Sequence, residues 1–240
     1  MNIFTKLFNF LDYRISLLTN KTFTNYLRRK GMRIGDNVLF TNRKTLDIDL
    51  HKPSLVEIGN NVFINRGFSL LTHDYVSHVF LNIYNDYVSS TGKVKIGNNV
   101  AFGRNVTVLK GCTIGDNVFV GFGSIVTKDI PPNSVVVGAP ARVVCSIDEY
   151  YNKRKNLYAE EAFEYAKSIK EAFKREPKIT DFYEEFPLFI NGKDSHKYLD
   201  ILPIKDQYGD SFNKYVNEHK ALFNDFEEFL VKANINENNG

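Results

Sequence analysis

Four near-copies of one pentapeptide dominate the middle of this sequence. Each begins with isoleucine and glycine and ends with asparagine and valine: Ile34–Val38, Ile58–Val62, Ile96–Val100 and Ile114–Val118. The copies start 24, 38 and 18 residues apart, so the first and last spacings are multiples of six and the middle one exceeds such a multiple by two. A unit that recurs at a short, fixed period is typical of a solenoid, in which each turn packs on the one before it.

The period of six continues between the copies. Beginning at Ile96, every sixth residue is apolar: Ile96, Phe102, Val108, Ile114, Val120 and Val126. An α-helix would repeat its apolar face about every 3.6 residues and a long strand every second residue, so neither accounts for the pattern. A short strand and a corner in every six residues do, with three sides to a coil and glycine or asparagine at the corners. The sequence therefore predicts a mainly β fold, a parallel β-solenoid with inward apolar residues.

Other segments depart from this period. Residues 1–30 have the apolar spacing of helices, and we expect them to cap the first coil, because an open end would expose unpaired strand edges. Within the solenoid segment, residues 31–145, Lys52 breaks the period. The period is then lost between residues 74 and 93, which predicts an inserted loop.

After the solenoid segment, the spacing of the apolar residues changes to that of an α-helix. Ser146 and Glu149 have the spacing of a capping box, and apolar residues then recur at helical spacing as far as Phe173. A second amphipathic helix is predicted from Phe212 to Leu230. We therefore expect residues 146–240 to form an α-helical extension.

Composition places the chain among soluble globular proteins, with 43% apolar and 25% charged residues. The formal net charge of +3 gives no broad basic field, so we expect no nucleic-acid partner. Cys112 and Cys145 are too few for a disulfide framework and lack the spacing of a zinc motif. We therefore expect free thiols, no bound metal and a reducing, cytoplasmic location.

The N-terminal residues are apolar but interrupted by charge. Lys6, Asp12 and Arg14 leave no stretch near the ~18 residues that a membrane span needs, so no transmembrane segment is predicted. A weak contact with a membrane surface stays open beside the capping role. The side chains that would make that contact are Ile3, Phe4, Leu7, Phe8 and Leu11.

The end of the repeat carries the most specific motif. Ile125–Pro132 reads Ile-Val-Thr-Lys-Asp-Ile-Pro-Pro, and Val137–Arg142 reads Val-Gly-Ala-Pro-Ala-Arg. Together with the six-residue repeats, called hexads below, these motifs make residues 31–145 resemble the left-handed β-helix (hexapeptide-repeat) acyltransferases. Among these, the segment is most similar to the galactoside, maltose and polysaccharide O-acetyltransferases. The resemblance implies left-handed coiling, a homotrimer, acetyl-CoA as co-substrate and a carbohydrate acceptor.

His73 is the candidate catalytic residue. It stands where the regular coils give way to the insertion, so its side chain can face a cleft instead of the packed interior. An imidazole is suited to remove the proton of a sugar hydroxyl as that hydroxyl attacks a thioester carbonyl. The resemblance implies this general-base role and a direct transfer without an acyl-enzyme. The simpler alternative is a histidine that holds a corner in place.

The resemblance also implies a backbone donor for the oxyanion, but it does not place the acceptor-binding residues. Gly103, or its neighbour Arg104, matches the coil-corner amide that would stabilise the developing oxyanion. Asn65 and Arg66, on the coil before His73, are the candidates for binding the acceptor.

For the cofactor, the resemblance places Gly121 and Phe122 on a coil edge that meets the pantetheine arm. It places Lys128 and Arg142 near the nucleotide phosphates, which basic side chains bind well. Alternatively, Lys128 is a solvated corner residue and Arg142 pairs with a carboxylate. Many relatives have tryptophan in place of Ala101 and alanine in place of Phe122, so the shape of the cofactor groove is expected to differ.

Three other functions stay open. The γ-class carbonic anhydrases share this solenoid and bind zinc through three histidines, for which His51, His73 and His78 would be the counterparts. A scaffold without catalysis would need no role for His73. The acceptor of an acetyltransferase could also be an amino sugar or a xenobiotic. We favour an acetyl-CoA-dependent O-acetyltransferase acting on a polysaccharide, a lipopolysaccharide or a sugar precursor.

Overall fold

The structure is a computed structural model that describes residues 3–235. Within that range the α-helices are α1 (Ile3–Ser16), α2 (Asn20–Arg29), α3 (Ser77–Tyr84), α4 (Ile147–Phe173), α5 (Ile204–Tyr208), α6 (Phe212–Glu218) and α7 (Phe226–Lys232). The first strands are β1 (Arg33–Ile34), β2 (Leu39–Phe40), β3 (Asp47–Ile48), β4 (Val56–Ile58), β5 (Phe63–Ile64), β6 (Ser69–Leu70), β7 (His73–Asp74) and β8 (Ser90–Thr91). The later strands are β9 (Val94–Ile96), β10 (Val100–Phe102), β11 (Thr107–Val108), β12 (Thr113–Ile114), β13 (Val118–Val120), β14 (Ile125–Val126), β15 (Ser134–Val137) and β16 (Arg142–Ser146). The chain divides into two compact units within α4, one ending at Tyr151 and the other beginning at Asn152.

Three parallel sheets form the sides of a triangular solenoid in the first unit. Sheet A contains β1, β4, β9 and β12; sheet B contains β2, β5, β10, β13 and β15; and sheet C contains β3, β6, β11 and β14. The chain visits sheets A, B and C in turn, so each coil has an A–B, a B–C and a C–A corner. β16 then turns back and pairs antiparallel with β15. The predicted parallel β-solenoid is confirmed.

The hexad residues fill the interior of the solenoid. All six side chains of the series from Ile96 to Val126 are buried. Aromatic residues pack between coils: the rings of Phe68 and Phe102 are tilted by 59°, with centroids 4.8 Å apart. Packing of this kind buries the apolar side of every coil against its neighbours, which is the main favourable contribution to folding.

A ladder of asparagines holds the A–B corner. Five asparagines adopt left-handed backbone conformations there: Asn37, Asn61, Asn99, Asn117 and Asn133. Their side-chain amides bond from coil to coil at 2.8–3.2 Å, across sequence separations of 24, 38, 18 and 16 residues. The step of 38 is therefore a single coil that carries the insertion, because β4 pairs directly with β9.

The first coil is longer than the regular coils that follow the insertion. Two 3-10 turns, Arg43–Thr45 and Pro53–Leu55, add residues at its corners. Lys52 immediately precedes the second turn, which explains why the period of six fails at this residue. The register also differs between sides: Arg33 pairs with Glu57 in sheet A, whereas Asp47 pairs with Ser69 in sheet C.

The insertion is more ordered than the loop predicted for residues 74–93. β7 and β8 form an antiparallel ribbon at its base, where His73 pairs with Thr91. The helix α3 lies between them. The side chain of Asp74 accepts a hydrogen bond from the amide of Val76 at 3.1 Å and so supports the turn that leads into this helix.

Helices α1 and α2 belong to the same unit as the solenoid. Phe23, Tyr26 and Leu27 of α2 are buried in the solenoid core, and Phe23 packs edge-on against Phe40 at 5.1 Å. On α1, the side chains predicted to reach a membrane surface are solvent-exposed at Leu7, Phe8 and Leu11. Those of Ile3 and Phe4 lie outside the described side chains. Within residues 3–235, no helix is long and apolar enough to span a bilayer.

The second unit has an aromatic core of its own. Helix α4 contributes Ala162, Ala166 and Ile169 to this core. They belong to the same cluster as four buried phenylalanines of the later segments: Phe182, Phe186, Phe189 and Phe229. The prediction of one helix from Phe212 to Leu230 was wrong, because the segment forms α6 and α7 with a break between them. Asp225 starts the second helix by accepting a hydrogen bond from the amide of Glu228 at 2.8 Å.

Candidate active site

His73 lies at the C–A corner, where β7 leaves the solenoid wall. Its side chain is mostly buried, with 15% exposed, and its Nδ1 atom is 2.6 Å from Oδ2 of Asp49. Asp49 follows β3 on the preceding coil. The residue types match a histidine base held by a carboxylate, an arrangement that fixes both the orientation and the tautomer of the imidazole.

The carboxylate of Asp49 is almost fully buried, with 2% of the side chain exposed. Its Oδ2 atom accepts hydrogen bonds from the amide and hydroxyl of Thr72, and its Oδ1 atom accepts one from the amide of His51. Burial alone would raise the pKa of Asp49, but these hydrogen bonds, with that of His73, hold this pKa well below its usual value. Asp49 therefore stays ionised and can only accept hydrogen bonds.

This charge state determines the tautomer of His73. Because the Asp49 carboxylate has no proton to donate, the bond between Nδ1 of His73 and Asp49 requires the proton on Nδ1. The Nε2 atom of His73 then carries a lone pair. A neutral imidazole in this tautomer can accept a proton through Nε2.

A second histidine shares the same carboxylate. His51 occupies the position of the preceding coil that corresponds to His73, and the two ring centroids are 5.0 Å apart. The Nδ1 atom of His51 lies 3.2 Å from Oδ1 of Asp49. In contrast to His73, the side chain of His51 is 74% exposed.

An open pocket of about 440 Å³ lies over this cluster. Its lining residues are Asp47, Ile48, Asp49, Leu50, His51, Leu71, His73, Asp74 and Tyr75. The ring of Tyr75 meets that of His73 edge-on with a centroid separation of 5.0 Å. Tyr75 is 65% exposed, so most of its surface remains open to a ligand.

Lys110, on the next coil, fixes the base of the insertion. Its Nζ atom is 2.6 Å from Oδ2 of Asp74 and also donates to the hydroxyl of Ser90. The hydrogen bond from Lys110 is the main cause that lowers the pKa of Asp74. Because Asp74 follows His73 directly, this contact limits the movement of β7 and of the imidazole.

Most of the other candidate residues lie at a different corner. The B–C corners of three successive coils contain three pairs of these residues: Asn65 and Arg66, Gly103 and Arg104, and Gly121 and Phe122. Arg142 begins β16 beside the same corner. Arg66, Arg104, Phe122 and Arg142 are exposed. Asn65 is half-buried and accepts hydrogen bonds from Thr41 and from the amide of Arg66.

The amides at this corner differ in availability. Those of Gly103 and Gly121 donate to the carbonyls of Val120 and Val136 on the next coil, both at 2.8 Å. Within residues 3–235, the amide of Arg104 has no hydrogen-bond partner. Of the two oxyanion donors considered from the sequence, the Gly103 amide is therefore occupied and the Arg104 amide is available.

Lys128 is separated from Arg142 within one chain. It lies between β14 and the bridge from Ile130 to Ile114, which places it at the C–A corner with His73. One side of the triangle separates the two corners, up to roughly 20 Å for six extended residues. A single chain therefore does not bring His73 and Lys128 together with Phe122 and Arg142. Within the described residues, Arg142 forms no ion pair, and its guanidinium donates to the carbonyl of Ala141.

The three-histidine cluster considered from the sequence does not form among the described residues. His51 and His73 converge with Asp49, but His78 is on α3 and exposed, with its ring 6.2 Å from that of Tyr75. Sequence reasoning missed Asp49 and Thr72. A register of 22 residues on sheet C, as between Asp47 and Ser69, would have revealed that the segment of Asp49 lies beside that of His73.

Comparison with known proteins identifies the family. The model for "Bacterial transferase hexapeptide (six repeats)" matches residues 93–128. YvoF of Bacillus subtilis (strain 168), which is named as an acetyltransferase, is 30% identical over 153 residues, covering 61% of this chain and 81% of that protein. The galactoside O-acetyltransferase of Escherichia coli (strain K12) is 43% identical over 102 residues, covering 41% of this chain and 49% of that enzyme.

Among solved structures, a maltose O-acetyltransferase from Clostridium difficile 630 is 28% identical, with a TM-score of 0.40 over 56% of this chain and 82% of that one. For several curated relatives, the galactoside enzyme included, the match spans only about half of the relative's length. The coverage of YvoF is much larger. The triangular solenoid, the hexad core and this extended match together establish that the chain belongs to the bacterial hexapeptide-repeat transferases.

Proposed function

We propose that this protein is an acetyl-CoA-dependent O-acetyltransferase that transfers an acetyl group to a carbohydrate hydroxyl, with His73 as the general base. The observation that carries the proposal is the pair of Asp49 and His73, which leaves Nε2 of His73 as a proton acceptor beside an open pocket. Relatives named as acetyltransferases, one of them for galactosides, support the type of reaction.

His73 moves one proton in this mechanism. Its Nε2 atom accepts the proton of the acceptor hydroxyl while the hydroxyl oxygen attacks the thioester carbonyl, and the C–S bond then breaks. The imidazolium returns the proton to the departing sulfur. Asp49 stabilises the transient positive charge and holds the ring in place, so no covalent acyl-enzyme is required.

The B–C corner suits an acylated thiol that carries a nucleotide. The exposed ring of Phe122 offers an apolar surface for an extended arm, Arg142 offers a cation for phosphate, and the Arg104 amide can donate to an oxyanion. When bound, acetyl-CoA supplies an activated acetyl group. The remaining requirement is a geometry that brings this corner to the imidazole.

A second copy of the chain would meet that requirement. The C–A corner with His73 and Lys128 and the B–C corner with Phe122 and Arg142 point to different sides of one solenoid. They can meet if the B–C corner of one copy packs against the C–A corner of another. Such a head-to-tail contact closes into a ring, and we propose the homotrimer of left-handed coils that is typical of this family.

The pocket over His73 suits a carbohydrate acceptor. The exposed face of Tyr75 can pack against a sugar ring, while the Asp49–His73 pair receives the hydroxyl proton. Asn65 and Arg66 would contact the acceptor from the B–C corner of the neighbouring copy. We favour a polysaccharide, a lipopolysaccharide or a sugar precursor as acceptor and the cytoplasm as the location.

The test is an acetyl-transfer assay with the purified full chain. Release of free thiol from acetyl-CoA is followed with galactosides, maltose and amino sugars, and the products are identified by mass. We expect His73→Ala to lower turnover by about 10²–10⁴-fold, the usual contribution of a general base. His78→Ala is the matched control, because this histidine lies outside the cluster. Equal turnover by His73→Ala and the unmodified chain would refute the base role.

A further inference from the structure

We propose that Asp49, His51 and His73 form a binding site for a divalent transition-metal ion such as Zn²⁺. One ligand atom from each residue lies within 4.8 Å of the others. The three residues offer two imidazoles and one carboxylate, which are common ligands of Zn²⁺ in proteins. A water molecule from the open pocket would supply the fourth ligand.

The charge of the cluster favours a cation. Asp49 is ionised and buried, and within the described residues its carboxylate has no lysine or arginine partner. Among residues 3–235, its negative charge is balanced by hydrogen bonds from Thr72, His51 and His73 and by no ion pair with lysine or arginine. A divalent ion at this position would gain a strong electrostatic interaction in a poorly solvated environment.

The spacing of the atoms is close to that of a metal site. Two nitrogen or oxygen ligands bound at about 2.0–2.1 Å in tetrahedral geometry lie about 3.3 Å apart. Here the Nδ1 atom of His51 is 3.2 Å from Oδ1 of Asp49, close to this separation. The Nδ1 atom of His73 is 2.6 Å from Oδ2 and would have to move away by about 0.7 Å to make room for the ion. Because the side chain of His51 is exposed, it can rotate to complete the site at little cost.

Metal binding would inactivate the proposed base. An imidazole binds a metal through a nitrogen lone pair. If the metal occupies Nε2 of His73, that atom can no longer accept the hydroxyl proton. If the metal occupies Nδ1, the ring proton moves to Nε2, with the same result. This inhibitory effect rests on the proposed function, whereas metal binding itself does not.

Binding is tested with metal alone and the untagged full chain. Zn²⁺ affinity is measured by competition with a chromophoric chelator for the unmodified chain, His51→Ala and the matched control His78→Ala. We expect one high-affinity site per chain, at least tenfold weaker binding in His51→Ala and unchanged binding in His78→Ala. Co²⁺ as a spectroscopic probe should give visible absorption that is lost in His51→Ala.

The outcomes separate the two proposals. If the unmodified chain binds no Zn²⁺, or if His51→Ala binds it as tightly as the unmodified chain, the metal site is refuted whatever the enzymatic result. If Zn²⁺ binds as expected, transfer activity should be inhibited and restored by EDTA, and inhibition of His51→Ala should need at least tenfold more Zn²⁺. Binding without any acetyl transfer would leave the metal site intact and contradict the proposed function.

Discussion

The carboxylate of Asp49 lies 2.6 Å from Nδ1 of His73, although 24 residues separate them in the chain. The contact arises because β3 and β6 are neighbours in sheet C, so the segments that follow these strands lie side by side. Thr72 and His51 complete the hydrogen bonds of the carboxylate. The result is an oriented imidazole at the edge of the solenoid, beside the insertion.

Asp49→Asn is expected to lower kcat for acetyl transfer about 100-fold. The amide can no longer stabilise the imidazolium and can donate a hydrogen bond that favours the other tautomer of His73. KM for acetyl-CoA should change much less, because the B–C corner is not altered. Steady-state kinetics provide the measurement, with Asp86→Asn on the exposed insertion as control. Loss of kcat in both variants would contradict a specific role for Asp49.

Asp49 should also make stability depend on pH in a defined way. Because its pKa is lower in the folded than in the unfolded chain, its ionised form stabilises the fold fully above the unfolded value of about 4. This contribution is lost as the pH falls towards the folded value. Urea unfolding should therefore show Asp49→Asn less stable by about 2 kcal/mol at pH 7, with a smaller difference at pH 3. A difference that grows at pH 3 would contradict this sign.

Tyr75→Ala is expected to raise KM for the carbohydrate acceptor about tenfold. The substitution removes the aromatic surface beside His73, whose loss costs roughly 1–1.5 kcal/mol of binding. Tyr75→Phe keeps the ring and should largely restore the affinity. KM values for both substrates are compared, and an equal rise for acetyl-CoA would indicate a disturbed fold instead of a lost acceptor contact.

Two variants that are each expected to be inactive should regain acetyl-transfer activity when they assemble into mixed oligomers. His73→Ala damages only the C–A corner. Phe122→Glu places a carboxylate at the B–C corner, where it would repel the phosphates of acetyl-CoA and remove the apolar surface for the extended arm. If each site combines corners of two copies, mixed oligomers contain sites with both corners intact. Activity after joint refolding or coexpression should recover to roughly a quarter of the unmodified level for trimers mixed at random in equal amounts. No recovery in verified mixed oligomers would show that each site lies within one chain.

The asparagine ladder should contribute measurably to stability. Asn99 has a φ of 54° and bonds through its side chain to Asn61 and Asn117. Asn99→Ala loses both bonds and places alanine, whose Cβ atom disfavours positive φ, in the left-handed region. We expect this substitution to lower the free energy of unfolding by about 2–3 kcal/mol. Asn99→Gly loses the same bonds without the backbone strain and should be less destabilising. Urea unfolding compares the two, and the reverse order would contradict the argument.

The solenoid could be predicted because its determinants are local and periodic. Inward positions such as Phe102 and Val120 must be apolar in every coil, and corners such as that of Asn99 must adopt positive φ, so the pattern is visible in one sequence. The insertion was located by the loss of the pattern. Its helix α3 was not predicted, since residues 77–84 lie outside the three sheets and most of their side chains are exposed, so packing imposes no periodic apolar face on them.

Only part of the candidate site could be predicted from the sequence. His73 could be chosen because it borders the insertion, and His51 was considered only as part of a three-histidine zinc site. Asp49 could not be chosen, since the first coil contains extra turns that hide its register. The break at residues 219–225 was hidden for a similar reason: hydrogen bonds such as that from the Gly192 amide to the His219 carbonyl hold it open.

Amino-acid order alone determined the coil, its three sides, its apolar interior and the position of the imidazole. Tertiary structure decided which groups surround that imidazole and which corner each remaining candidate occupies. The physical reason is distance along the chain. Periodic burial acts between residues six positions apart, whereas the partners of His73 come from another coil, and their register depends on the lengths of all the turns between them.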